Sequence, residues 1–202
     1  MQRHFATEIQ GGPFRHREQS DSGFLMVDGH YLKIAYYRIA RDGKEFSPAD
    51  LESRNQQTNQ DWAAGKIYFK EPYDSRYLNE YTFALQDPCS SCDDGMVAVN
   101  FSSAIHDAQH GSGTMWIDAA TAHVERLMYT PNELPSHAST GTVTETSGQV
   151  LPGLWYVTRI DEHFEGHAFL FRGTGTFTAT FDHFQRFATP SNGQVALLHA
   201  TI

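Results

Sequence analysis

The sequence predicts a mainly β (α+β) domain: an antiparallel sheet with one clear helix against it. Three observations carry this reading. Aromatic residues make up 13% of the chain, 14 Phe and 9 Tyr among them. They stand mostly in short segments bounded by Gly, Pro, Asp or Asn, which is how strands read. Residues 174–181 alternate, with Thr174, Thr176, Thr178 and Thr180 on one side and Phe177, Ala179 and Phe181 on the other. That is the period of a half-buried antiparallel strand. The clearest helix start and stop signals fall at 47–64.

Taken in order, residues 1–22 are polar and broken by Gly11, Gly12 and Pro13. They are expected to form a poorly ordered N-terminal segment. Residues 24–27 and 30–39 read as strands joined by Asp28-Gly29, a dipeptide suited to the positive φ angles of a type I′ hairpin. In the second strand Leu32, Ile34 and Tyr36 share one face, and Tyr31, Ala35, Tyr37 and Ile39 the other. Both faces are partly apolar, as in a sheet covered on both sides. A turn at 41–44 follows.

The helix begins at the N-cap Ser47, with Pro48 at its first position and Asp50 completing a capping box. Gly65 is its stop. Its body is polar, with Leu51, Trp62 and a few Ala left to dock, so it belongs on the surface as a lid or a connection. From Tyr81 onward the chain reads as a β-meander. Strands are expected at 81–86, 96–102, 113–118, 123–129, 141–147, 154–160, 167–172 and 174–181, with a last one at 194–202. No fixed repeat and no internal linker divides residues 1–202, so they form one domain.

The 202 residues are enough for a sizeable core, and 40% hydrophobic with 19% charged residues describes a globular chain. Fifteen basic against 24 acidic residues give a net charge of -9, a poor match to nucleic acid or anionic membranes. No apolar run reaches 18 residues, so no transmembrane helix is encoded. No basic-then-apolar signal sequence stands at Met1. Either the protein is cytosolic or Met1 begins a trimmed form of an exported one.

Cys89-Ser-Ser-Cys92 lies in a loop between strands. It lacks the second pair of a structural zinc site and the helix of a redox CxxC. A local disulfide, formed if the protein matures outside the cytoplasm, is the simplest reading, with two free thiols as the alternative. His106, Asp107 and His110 have the spacing of metal ligands on a helix, but Ser and Gly neighbours make the segment a loop. His163 and His167 flank the turn Glu165-Gly166; solvent-exposed or hydrogen-bonded His is the favoured reading, with the two facing each other across a hairpin as the alternative. Asp161-Glu162 is likewise read as turn-like. No nucleophile elbow or phosphate loop occurs, no cofactor is implied, and no catalytic constellation stands out.

One stretch resembles a known family. Gly113-Thr-Met-Trp116-Ile-Asp118, Thr121 and Val124-Glu-Arg126 are similar to the central hairpin of the outer-membrane lipoprotein-sorting carriers (the LolA/LolB-like superfamily). The strands around Phe83 and Met96–Phe101, and the later Leu154-Trp155, extend the resemblance over roughly residues 75–185. It implies a curved, incompletely closed half-barrel plugged by helices, enclosing a hydrophobic cavity in the periplasm or cell envelope. A lipid-like ligand or an acylated protein is the implied partner, held without catalysis. Tyr36, Trp62, Phe83, Trp116, Trp155 and Phe169 are the aromatics expected to line the cavity under the helix. Two departures stand against the likeness: the long opening helix of the family is missing, and the Cys loop has no counterpart. Two alternatives remain, a metal-dependent hydrolase built on His106, Asp107 and His110, and a structural domain with its interior packed shut.

Overall fold

A computed structural model describes residues 1–11, 13–27, 30–65, 69–87, 89, 92–168 and 171–186. These residues form one antiparallel sheet. Its strands are β1 (Gln2–Gly11), β2 (Phe14–Val27), β3 (His30–Arg41), β4 (Lys44–Glu45), β5 (Thr82–Leu85) and β6 (Met96–Ser102). They continue as β7 (Gly111–Asp118), β8 (Val124–Pro131), β9 (Ala138–Leu151), β10 (Leu154–Ala168) and β11 (Phe171–Asp182). The spatial order is β4-β3-β2-β1-β11-β10-β9-β8-β7-β6-β5. Two meanders, β1 to β4 and β5 to β11, are thus joined where β1 pairs with β11. The end strands β4 and β5 do not pair with each other, so the sheet is not closed into a barrel.

Residues 1–22 depart from expectation: β1 lies in the middle of the sheet, between β11 and β2. Residues 154–168 are one long strand, so no turn separates His163 from His167. Gly166 has a different purpose, since a Cβ there would stand 1.9 Å from the His137 carbonyl oxygen. The Asp28-Gly29 turn and the expected strand at 194–202 lie outside the described residues.

Register sorts the side chains into two faces. On the inner face Phe101, Gly113, Tyr129, Val143, Glu162 and Phe177 stand side by side across β6 to β11. The next row is Val99, Met115, Leu127, Glu145, Ile160 and Ala179. On the outer face the matching row reads Asn100, Thr114, Met128, Thr144, Asp161 and Thr178. The alternating Thr therefore face outward and the Phe inward, and the core of buried Tyr81, Phe101, Met115, Leu127, Val143 and Phe164 lies on the inner side.

Helix α1 (Pro48–Ala63) has the expected capping box between Ser47 and Asp50, and Gly65 follows it at φ 70°. It packs chiefly on β3, and polar groups hold it there. The Asn55 amide receives the Tyr36 N–H at 2.6 Å and donates to the Tyr36 carbonyl at 3.1 Å. The Asn59 amide does the same for Ile34, at 2.9 and 2.7 Å. Four residues along a helix rise about 6 Å, and two along a strand about 6.7 Å. The two amides therefore match alternate residues of β3 and satisfy backbone groups that the two-residue β4 leaves unpaired, closing that edge.

Candidate functional site

A segment that is neither strand nor α-helix covers the inner face at β8. Residues 69–80 run through successive tight turns, Asp74 N–H to Glu71 O, Tyr77 N–H to Asp74 O and Glu80 N–H to Tyr77 O. The Phe69 ring stacks on Tyr129 with centroids 3.8 Å apart. Pro72 is fully buried. This segment, and not α1, lies over the apolar core.

Its far end is pinned by a buried histidine. His110 is 0% exposed. Its Nδ1 lies 2.7 Å from Asp107 Oδ1 and its Nε2 2.5 Å from Glu80 Oε2. Lys70 Nζ bonds the same Glu80 oxygen at 3.0 Å. Hydrogen bonds from His110 and Lys70 hold the Glu80 carboxyl below its ordinary range. Asp107 is also lowered: the cost of its burial is outweighed by bonds from the His110 side chain and from the Gln109 and His110 amides. Both nitrogens of His110 are occupied and His106 is exposed. Of the residues of the hydrolase reading, Asp107 and His110 therefore belong to a structural clamp with Glu80 and His106 stands outside it, and among the described residues no three metal-ligating side chains converge.

Three carboxyls meet on the inner face. Glu145 of β9 is 5% exposed and stands in register between Leu127 and Ile160. Glu162 of β10 stands between Val143 and Phe177. Glu71 reaches them from the covering segment, hydrogen-bonded to Tyr73. Burial, then the Glu71 charge, pushes Glu145 up to about 8. Burial is also the main cause that raises Glu71 to about 7 and Glu162 in the same direction. The only hydrogen bond onto Glu145 from the described residues comes from the Tyr129 hydroxyl at 3.4 Å. No Lys, Arg or His among them pairs with any of the three. Burial disfavours the charged form at all three, the Arg76 charge opposes the rise at Glu71, and at neutral pH Glu145 favours its protonated form.

The expected cavity aromatics are not brought together. Tyr36 is half-buried on β3 and accepts a bond from Arg3. Trp62 is half-buried on α1 at the β3 edge, and Phe83 is 41% exposed on the end strand β5. Trp116 is buried on the outer face, in register with Ala98 and Arg126, whose guanidinium lies 3.8 Å from its ring centroid. Trp155 donates to the Val124 carbonyl at 3.1 Å and stacks on His123. Phe169 lies outside the described residues. Cys89 and Cys92 form the expected disulfide, with Cα atoms 5.5 Å apart.

Asp161 and Glu162 are mid-strand and point to opposite faces, Asp161 outward to Arg159 and Thr178. The inward acids went unrecognised in the sequence, though a signal was present. In 142–146 the Thr stripe marks the outer face, which puts Glu145 beside Val143 on the apolar one.

No protein-family model matches the chain, and no curated protein matches it in sequence. Among solved structures it is similar to the crystal structure of a DUF1329 family protein from Desulfovibrio piger, at 11% identity over 92% of this chain and 86% of that one, with a TM-score of 0.35. An overlap that loose carries no functional argument.

Proposed function

We propose that the chain binds a hydrophobic, lipid-like or acylated ligand against the inner face of its open sheet, without catalysis. One observation carries the reading: the inner face is apolar across many strands, yet only partly covered. Phe5, Ile160 and Phe177 remain half-buried in its middle. Tyr73 of the covering segment keeps 36% of its surface accessible. The likeness of the Trp116-Ile-Asp118 hairpin to the lipoprotein carriers supports the same reading. The disulfide supports an oxidising compartment such as the periplasm.

The energetics suffice. Each buried methylene of an acyl chain contributes about 0.8 kcal/mol, so a tail along the Phe and Ile rows needs no charged contact to be held. Of the expected lining residues, Tyr36 and Phe83 share the inner face with these rows by register, Phe83 opposite Phe101 on the end strand β5, and Trp62 lies on α1 at the other end of the sheet. The test is native mass spectrometry of gently extracted protein, with titration by the neutral fluorescent probe N-phenyl-1-naphthylamine. Co-purifying lipid or saturable probe binding is expected. Neither, in a protein shown to be folded, would leave a structural domain with a packed interior.

A further inference from the structure

The inner face also carries a cation with no acid beside it. Arg3 of β1 stands in register with Phe181 of β11 on one side and Ser22 of β2 on the other, and Ser22 with Tyr36 of β3. Three rings surround the guanidinium, with centroids at 4.8 Å (Phe24), 5.5 Å (Phe5) and 5.6 Å (Tyr36). Its Nη2 donates to the Tyr36 hydroxyl at 2.9 Å. Arg15, Arg38, Arg41 and Arg159 each hold a carboxylate. Among the described residues none pairs with Arg3.

Two polar atoms here lack partners. Arg3 Nε is buried and donates to none of the described residues. The Ser22 hydroxyl, on a residue 0% exposed, is likewise unbonded. A guanidinium offers five N–H donors, and Tyr36 accepts from one nitrogen only. Aromatic faces favour a cation but accept no conventional hydrogen bond from it. What the site lacks is an acceptor, and a negative one suits it best. Among the described residues no second Lys or Arg side chain joins the group, so a single negative charge is the match. Beyond it lie Phe181, Ala179 and Val157, an apolar cluster that would take a tail.

We infer that Arg3 anchors a carboxylate headgroup, with the Ser22 and Tyr36 hydroxyls beside it, so that the ligand of the inner face is a long-chain carboxylic acid in its anionic form. This rests on the hydrophobic-ligand reading above and specifies its chemistry.

The experiment is displacement of N-phenyl-1-naphthylamine at pH 7 by hexadecanoate, by its methyl ester and by hexadecyl phosphate. Hexadecanoate should bind at least tenfold more tightly than the ester. Arg3→Met should abolish that preference while leaving ester binding within about twofold, and Arg3→Lys should retain part of it. Ser22→Ala should weaken the acid alone, by a few-fold. Equal binding of acid and ester by the wild-type protein, with the probe still bound, overturns the anchor and leaves the hydrophobic site standing. Absence of binding by the probe and all three amphiphiles overturns both. A phosphate preferred over the carboxylate overturns the headgroup assignment. Should Arg3→Met not fold, the acid-to-ester ratio in wild type and in Ser22→Ala decides the matter.

Discussion

Replacing Glu145 by Gln should stabilise the protein in mild alkali and change little in mild acid. The reason is the carboxyl's surroundings: it is 5% exposed, receives one long hydrogen bond, and has Glu71 and Glu162 as its charged neighbours. Its protonation midpoint is raised from 4.5 to about 8. A raised carboxyl favours folding fully below its unfolded value and loses that advantage as pH rises through the folded one. Wild-type stability should therefore decline between about pH 4.5 and 8 and then level. Each tenfold gain in proton affinity on folding corresponds to about 1.4 kcal/mol. Sharing of protons with Glu71 and relaxation in the charged form reduce the sum, so a decline of roughly 2–4 kcal/mol is expected. Gln keeps the shape and accepts the Tyr129 bond, at a cost of about 1 kcal/mol for its amide donors. Urea unfolding midpoints of both proteins at pH 5, 7 and 9 measure the difference directly. The variant should be slightly weaker at pH 5 and clearly stronger at pH 9. Parallel pH profiles for the two would refute the reasoning, because they would mean that Glu145 is solvated or paired in the folded protein.

Asn55→Ala with Asn59→Ala removes four hydrogen bonds to β3. It should cost roughly 2–4 kcal/mol and speed hydrogen exchange at the Ile34 and Tyr36 amides well before the β6–β9 amides respond. His110→Ala strands the Asp107 carboxylate and leaves Glu80 to Lys70 alone in a partly buried clamp, and should cost about 2–4 kcal/mol by thermal unfolding. Because Glu80 and Asp107 are lowered by that clamp, the wild type should lose its share of the stabilisation only as pH falls below about 4. Reducing Cys89–Cys92 opens a short loop and should cost less than about 3 kcal/mol, and thiol titration of the unreduced, denatured protein should find no thiol.

The second meander was readable because Gly, Asp and Pro punctuate it and its inward residues are apolar. The first was not, for a physical reason visible at its inward positions. Register puts Arg3, Thr7, Glu18, Ser20 and Ser22 on the inner face of β1 and β2, so the apolar alternation that betrays a strand is erased there. The helix was legible to the residue at its N-cap, since a capping box is local chemistry. Its mode of docking was not, because Asn55 and Asn59 look like solvated surface until an unpaired strand edge is placed against them. Gly166 read as a turn residue when it marks a close approach of backbones. An aromatic side chain does not by itself report its face: Met115 points inward and Trp116 outward, one residue apart. Glu71, Glu145 and Glu162 are far apart in the chain and converge only once the covering segment is laid over β8–β10.

The unpaired acids and the unpaired Arg on this face do not neutralise each other. Glu162 is in register with Phe177 and, one strand further, with Thr7. Arg3 lies four residues along β1 from Thr7. Two strand spacings and four residues separate them by about 17 Å along the sheet. At that distance, with an effective dielectric of about 20, attraction amounts to about 1 kcal/mol, well short of the several kcal/mol that desolvation costs each charge. The fold must settle the two kinds of group separately. A carboxyl can take up a proton, and the rise of Glu145 to about 8 is that solution. A guanidinium cannot give one up, and aromatic faces compensate it only in part. A proton already supplies what Glu145 lacks, whereas among the described residues only the Tyr36 hydroxyl accepts from Arg3 and no carboxylate does. That asymmetry is why the headgroup is assigned to the cation end of the inner face and the carboxyl cluster is read as part of the wall.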